Sequence, residues 1–461
     1  MHALLVTEAD RPATPIRFVD AATWPRLLEA GLSPTARAFA TAQGFDAKGG
    51  AILVLPGEGG AIETILVPLG PGRVDPFLPG RLPGLLPAGL FAFEGWPGDE
   101  ALATIAFLLG AYTFDRYRGQ PRERAFTLLV PPGVDAAEAS RIAQGVTLGR
   151  DLVNTPASDL RPAALEAAAR ALAARHGAEM RSIVGDALLR ANLPMIHAVG
   201  RASPESPRLV DIQAGDPAHP KVTLVGKGVT FDTGGLDLKP SSAMLLMKKD
   251  MGGAATALAA AHMILDARLP VRLRVLLPIV ENAVAGAAFR PGDVLASRKG
   301  LSVEIGNTDA EGRLILADAL ALADEDAPDL LLDFATLTGA ARVALGPDIV
   351  PLYTSDDGLA ADLMRLSGAV NDPIWRMPLW APYASMLDSK IADTNNVSSG
   401  GFAGSITAAL FLSRFVSAAR AWAHFDVYAW TPKAGPGRPE GGEAQVARLV
   451  YALLAERYAP R

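Results

Sequence analysis

The chain contains no cysteine, which excludes disulfides and every thiolate metal site and fits a reducing compartment. Histidine is scarce: the six residues at 2, 176, 197, 219, 262 and 424 are scattered, with no HExxH pair. His262, on a helix, and His424, in "WAHFDVYAW", read as packed or hydrogen-bonded residues rather than ligands. There is no GxSxG elbow for a serine nucleophile. "VGKGV" around Lys227 lacks both the first glycine and the following Ser/Thr of a phosphate-binding loop, and the glycine-rich "GPGRPEGGE" (435–443) follows no strand in a GxGxxG arrangement. Long apolar runs are missing too: "ALFLSRFV" and "PDLLLDFATLTGAARVAL" are too short or too interrupted to span a bilayer. The first residues lack the basic and apolar regions of a signal peptide. Positive charge is not in excess. The formal net charge of -6 argues against nucleic acid as the main partner. A soluble cytoplasmic protein, with no membrane partner, is the expectation.

What is present is ample for a folded protein. The 461 residues, half of them apolar and 20% charged, suggest two or three domains. In the first 130 or so, "AILVLP" (51–56), "AIETILVPLG" (61–70) and "AFTLLVPPG" (125–133) read as short strands, and "DEALATIAFLLGAYTFDRY" (99–117) as a helix. The Pro- and Gly-crowded stretch 70–98 reads as loop. A helix over 135–156, with Asp135 as its cap and Pro156 at its end, makes a plausible bridge, and a second covers 162–177, closed by Gly177. From about residue 220, apolar runs at 221–231, 271–284, 301–307 and 329–339 alternate with helical patterns at 253–269 and 311–326. That alternation argues for α/β architecture with a largely parallel sheet, whose ligand sites gather beyond the carboxyl ends of the strands. The expected plan is a small N-terminal α/β domain (1–134) serving structure or assembly, a bridging helix (135–155), and a larger α/β/α sandwich (156–461) on a mixed, largely parallel sheet.

Three junctions in the larger part carry charge where apolar residues would cost less. "VGKGVTFDTGGLDLKPS" (225–241) holds Lys227, Asp232 and Lys239 among glycines; "MKKDMGGAA" (247–255) holds Asp250 just before a helix; "NTDAEGRL" (307–314) holds Asp309, Glu311 and Arg313. Positions i and i+2 point about 200° apart on a helix but share a face in extended chain. Asp309 and Glu311 are therefore expected at a strand end or in the turn. Taken singly, each acid passes as a cap or turn residue. Together Asp232, Asp250, Asp309 and Glu311 would carry four negative charges, which cannot crowd together ionised without cations. Two divalent ions would balance them. Arg313 and Lys239 would supply positive charge to an oxyanion. Lys227, inside an apolar strand, could lose its proton and ligate a metal, although chemistry alone ranks an ion pair first.

These motifs, with "ATLTGA" (335–340), "RDLVNTP" (150–156) and "GSITAALFL" (404–412), closely resemble the cytosolic leucyl aminopeptidase family, peptidase family M17, over roughly residues 145–430. The resemblance implies a two-metal site of Lys227, Asp232, Asp250, Asp309 and Glu311, with Asp232 and Glu311 bridging and Lys227 a true ligand. It implies that Lys239 polarises the scissile carbonyl and stabilises the gem-diolate. Arg313, with backbone around Ala310, Gly312 and Leu337, would hold a bicarbonate ion acting as general base. Met247, Thr336 and Gly339 would line an S1 pocket suited to an apolar, Leu-like N-terminal side chain. The metals would be Zn²⁺ or Mn²⁺, with Mg²⁺ or Co²⁺ as alternatives, the substrates short peptides, and the assembly a homohexamer of two trimers. The run "YAWTPKAGPGRPEGGEAQVARLVYALL" (428–454) departs from the family pattern, so the pocket wall and interface it contributes are where this chain would differ. The rival readings are a non-catalytic DNA-binding or scaffold oligomer, disfavoured by the intact acids and the acidic balance, and a two-metal phosphoesterase, which would want histidine ligands and a basic phosphate clamp.

Overall fold

Short β-rich runs build the first unit of the computed structural model, which describes residues 2–120 and 124–459. That unit comprises Met1–Gln144 with Lys433–Pro439, and the second comprises Gly145–Pro432 with Glu440–Arg461. In the first, six strands form a sheet in the order Leu5–Val6, Phe126–Leu129, Gly89–Glu94, Thr14–Val19, Ile62–Pro68 and Leu53–Pro56. All neighbours are parallel except the last pair. The expected helix is shorter than its apolar pattern, Glu100–Gly110, and starts where Asp99 accepts from the Leu102 N–H. The stretch read as loop holds the strand Gly89–Glu94, whose six residues sit between Pro-rich turns that hide the period. The glycine-rich 433–439 loop belongs to this unit, and a Cβ on Gly80 would lie 2.3 Å from the Gly437 nitrogen.

The helix Ala136–Asn154 begins where Asp135 Oδ1 accepts from the N–H groups of Ala137 and Glu138. The helix Pro162–His176 ends at Gly177, whose φ of 64° closes it in the left-handed conformation.

The sheet of the second unit runs Ile374–Arg376, Val350–Tyr353, Trp422–Asp426, Leu330–Ala335, Lys221–Gly226, Arg272–Asn282, Arg208–Ala214 and Glu179–Val184, with Gly228–Asp232 also pairing Arg272–Asn282. The four central strands are mutually parallel. Antiparallel pairings lie toward the edges. The architecture is thus the expected one, two α/β units with a mixed, largely parallel sheet in the larger. Leu330–Ala335 is buried at every residue, as a strand covered on both faces must be. Gly252–Asp266 packs on the 221–226 and 330–335 strands, and Glu311–Asp324 on 221–226 and 272–282. The first of these helices approaches so closely that a Cβ on Gly253 would lie 2.0 Å from the Phe334 carbonyl oxygen. Only glycine fits there, and it sets the helix start against the strand ends.

After the 221–226 strand the chain adds 272–282 on one side and then 330–335 on the other. The order therefore reverses at the carboxyl ends of 221–226 and 330–335, where α/β sheets open a crevice. Two expectations change here. The 221–231 run is not one strand: it breaks at Lys227, whose N–H turns to the Phe334 carbonyl 2.9 Å away. The 301–307 run contributes only Ser302–Glu304, in a separate three-stranded sheet with Val294–Ala296 and Thr394–Asn395. Among the described residues, no helix is long and apolar enough to cross a membrane.

Candidate metal centre

Each charged residue singled out from the sequence emerges at this crevice. Lys227 fills the break between two strands, and Asp232 ends the second of them. Asp250 lies in the 3₁₀ turn Met247–Met251, ahead of the Gly252 helix. Asp309 occupies a turn, and Glu311 is the first residue of its helix rather than part of a strand. The turn followed by a helix start still lets both acids converge: ligand atoms of Asp232, Asp309 and Glu311 all lie within 4.8 Å of one another. Asp250 joins through Lys227, whose Nζ lies 2.7 Å from Asp250 Oδ2 and 2.9 Å from Glu311 Oε1 and donates to the Thr336 carbonyl at 2.9 Å. Lys239 Nζ lies 2.7 Å from Asp232 Oδ2 and also contacts Asp309 Oδ1.

Four carboxylates thus meet two ammonium groups, in surroundings that are mostly buried. Burial, then the negative field of Asp232, pushes the Glu311 carboxyl well above its usual range. The same two causes raise Asp309 to about 6, and burial raises Asp250. Burial alone would lower Lys227 and Lys239, but their carboxylate neighbours hold both above the ordinary lysine value. Glu311 Oε2 is buried without a hydrogen-bond partner, an arrangement that costs free energy unless a cation completes it. Hard oxygens with one amine suit Mg²⁺, Mn²⁺ or Zn²⁺. The residues present therefore fit divalent cations.

Arg313 is buried and donates from Nη1 to the Asn396 carbonyl at 2.7 Å, while its Nε has no partner. Burial lowers its guanidinium to about 10. Gly312 lies in the first turn of the helix, where N–H groups lack intrahelical acceptors. The Ala310 N–H turns to the Asn307 carbonyl at 3.3 Å, and the Leu337 N–H donates to Asp426 Oδ1 at 3.0 Å. Thr336 is tied to Asp250, its Oγ1 donating at 2.8 Å to Oδ1. Met247 is half-buried and Gly339 exposed.

Three polar residues that sequence reasoning passed over hold this geometry. Asn282 Nδ2 donates to Asp232 Oδ1 and to the Thr308 carbonyl. Thr308 Oγ1 donates to the Gly234 carbonyl and accepts from the Asp237 N–H. Asn396 accepts from Gly306 and Asn307 and donates back to the Asn307 carbonyl, fastening the 306–310 turn. The only signal was polarity at strand ends, which turns share. The histidines lie elsewhere, as read: His424 Nδ1 meets Asp333 Oδ1 at 2.6 Å, and His262 meets His176 at 3.0 Å.

Buried carboxylates with a lysine at the switch point of an α/β sheet define the class as a metal-dependent hydrolase. The chain belongs to the cytosol aminopeptidase family: the model for "Cytosol aminopeptidase family, catalytic domain" matches residues 147–451, and that for "M17 aminopeptidase, N-terminal domain" matches 14–131. It is 42% identical over 378 residues to a probable cytosol aminopeptidase of Roseiflexus castenholzii, covering 77% of this chain and 76% of that one. It is 41% identical over 376 residues to one from Geobacter sp., covering 78% and 76%. Among solved structures, the cytosol aminopeptidase of Coxiella burnetii is 43% identical with a TM-score of 0.94, covering 99% of this chain and 100% of that one. The bottromycin maturation enzyme BotP in complex with Mn is 35% identical with a TM-score of 0.86, covering 96% and 99%. The protein is accordingly a metallo-aminopeptidase acting on peptides.

Proposed function

We propose that the enzyme uses two divalent metal ions, Zn²⁺ or Mn²⁺, to release N-terminal residues from short peptides. The observation that carries this reading is the convergence of Asp232, Asp309 and Glu311, with Glu311 Oε2 left without a partner. Lys227, Asp232, Asp250, Asp309 and Glu311 would hold the ions, Lys227 through its amine. Two ions there supply Lewis acidity, an anchor for the free α-amino group and a more acidic water. The chain's own groups do the rest. Lys239, fixed by Asp232 and Asp309, directs its Nζ to the carbonyl oxygen of the scissile bond and steadies the charge that grows on it. Arg313 Nε and the Gly312 N–H would bind bicarbonate at the start of the helix, where its dipole favours an anion, with Ala310 and Leu337 bordering it. The anion would supply a general base beside the start of the helix. Met247, Thr336 and Gly339 would border the N-terminal side chain, and their apolar atoms suit a leucine-like residue.

The N-terminal unit (1–134) would serve assembly, the helix over 135–155 would link it to the catalytic part (156–461), and the protein would form a cytoplasmic homohexamer. Val343, Leu245 and Phe402 are 90%, 80% and 85% exposed, and subunit contacts would cover such side chains. The test is hydrolysis of leucine p-nitroanilide with Mn²⁺ or Zn²⁺, abolished by chelation and restored by metal. No hydrolysis by the metal-loaded wild type, or full hydrolysis by Asp309→Ala, defeats the proposal. Sedimentation at micromolar concentration tests the hexamer, and a monomer there rejects it.

A further inference from the structure

Lys249 is not used by the mechanism above, yet only 4% of it is exposed. Its Nζ lies 4.8 Å from the centre of the Tyr428 ring and makes no hydrogen bond or ion pair among the described residues. The same ring carries a second cation, Arg342, with its guanidinium carbon 4.5 Å from the ring centre and likewise no carboxylate partner among the described residues. The two acids that face Lys249 are already engaged. Asp250 holds Lys227 and Thr336. Asp426 accepts from the Leu337 and Thr338 N–H groups, the Thr338 hydroxyl and Ser405. Both acids are held by other groups, and neither forms an ion pair with Lys249 among the described residues.

The position of this pair bears on specificity. Tyr428 follows the Trp422–Asp426 strand, which runs parallel to and in register with Leu330–Ala335, so both strands deliver their next residues to the crevice. Arg342 belongs to the helix Gly339–Leu345, and its Nη2 lies 3.5 Å from where a Cβ on Gly339 would stand. Gly339 and Thr336 are two of the residues that border the substrate's first side chain in the proposed function, and Met247 begins the turn that carries Lys249.

We propose that Lys249 and Arg342, gathered on the Tyr428 ring, form a carboxylate-binding wall of the pocket for the N-terminal side chain, so that the enzyme releases N-terminal glutamate and aspartate as well as apolar residues. The inference rests on the aminopeptidase reading and adds to it a second substrate class. A buried cation without a carboxylate partner is costly, and an anion delivered by the substrate completes it. Glutamate fits such a pocket: its two methylenes meet the same apolar atoms as a leucine stem, and its carboxylate reaches the cations in charge-assisted bonds.

The test uses the full-length, metal-loaded protein and compares kcat/KM for glutamyl, aspartyl and leucyl p-nitroanilides. It includes wild type, Lys249→Met, Lys249→Arg and Arg342→Met, and calorimetry of L-glutamate and L-leucine binding. Expected are glutamyl hydrolysis at a rate comparable to leucyl in wild type and a glutamyl-to-leucyl ratio about 10- to 100-fold lower in Lys249→Met. Lys249→Arg should retain most of that ratio, and L-glutamate affinity should fall in the methionine variants. If Lys249→Met fails to fold, the exposed Arg342→Met carries the comparison. A ratio unmoved by either methionine substitution, or wild type cleaving leucyl but not glutamyl substrate, overturns this inference and leaves the aminopeptidase reading intact. Wild type cleaving no substrate removes both. A loss confined to the dipeptide Leu-Gly against its C-terminal amide would assign the cations to the peptide's terminal carboxylate and equally overturn the proposal.

Discussion

Gly312→Ala tests how tightly Lys227 is held. A Cβ built on Gly312 lies 2.6 Å from Lys227 Cε and 2.7 Å from Nζ. On an open helix the same exchange stabilises by about 0.5–1 kcal/mol, because alanine loses less backbone entropy. Here the lysine end has nowhere to yield, since Asp250, Glu311 and the Thr336 carbonyl hold Nζ at 2.7, 2.9 and 2.9 Å. Forcing a methyl group into such packing costs about 1–3 kcal/mol. The net expectation is a loss of about 0.5–2 kcal/mol, read as a melting temperature lower by a few degrees. Displacement of the amine by several tenths of an ångström should reduce kcat/KM by about 10-fold, a part of the roughly 100-fold that a misplacement of about 1 Å can cost. Gly368→Ala is the matched control, in the helix Asp357–Ala369 with nothing within 4 Å of a new Cβ, and it should stabilise slightly. If Gly312→Ala melts at or above wild type and keeps its activity, the tight seating of Lys227 is wrong.

Two further expectations rest on the supporting residues. Asn396→Ala strands the N–H groups of Gly306 and Asn307, so urea unfolding should show a loss of about 1–3 kcal/mol, with weaker metal retention on dialysis. An unchanged midpoint would count against that brace. Asp318 is buried, accepts from the N–H groups of Met195, Ile196 and Arg298, and is pushed by burial up to about 7. Its native carboxyl therefore holds a proton that the unfolded chain, at the ordinary value near 3.8, has lost between about pH 4 and 7. The stability it confers grows as pH falls through that window, so the wild-type advantage over Asp318→Asn should be larger at pH 5 than at pH 8. Urea midpoints at the two values check this, and an advantage larger at pH 8 refutes it.

The acids of the site were legible because a cluster of like charge at the ends of apolar runs is expensive unless it does something. Their local conformation was less so. Asp309 and Glu311 needed only to share a face, and extended chain satisfied that on paper; the structure achieves it with a turn and the first residue of a helix. Lys227 looked like an intruder in a strand, and it is instead the point at which the strand breaks. The strand Gly89–Glu94 was hidden because neighbouring prolines and glycines speak louder than the short apolar run Leu90–Phe93. Asn282, Thr308 and Asn396 left no trace, since a polar residue that braces a loop across 26 to 90 positions has the same composition as one that faces water. Pairing over such distances is set by the fold, not by local pattern.

Lys249 completes the reasoning from a different side, because its cost and its use should separate. Most buried side chains stabilise, and truncating or replacing them destabilises. Lys249 is buried against an aromatic face and forms no ion pair among the described residues, and burial lowers its ammonium to about 8. The ring returns about 2 kcal/mol when such a contact is desolvated, less than the cost of taking an ammonium out of water. Lys249→Met keeps a long flexible apolar side chain in the same space and removes the charge. It should therefore raise stability by about 1–3 kcal/mol, as replacing buried charges with packed apolar groups often does. A cation retained at that expense, where methionine would fit, is what a binding residue looks like. Thermal unfolding of the metal-loaded protein decides the matter: a Lys249→Met variant that melts well below wild type makes the lysine a structural member, and the cost argument fails.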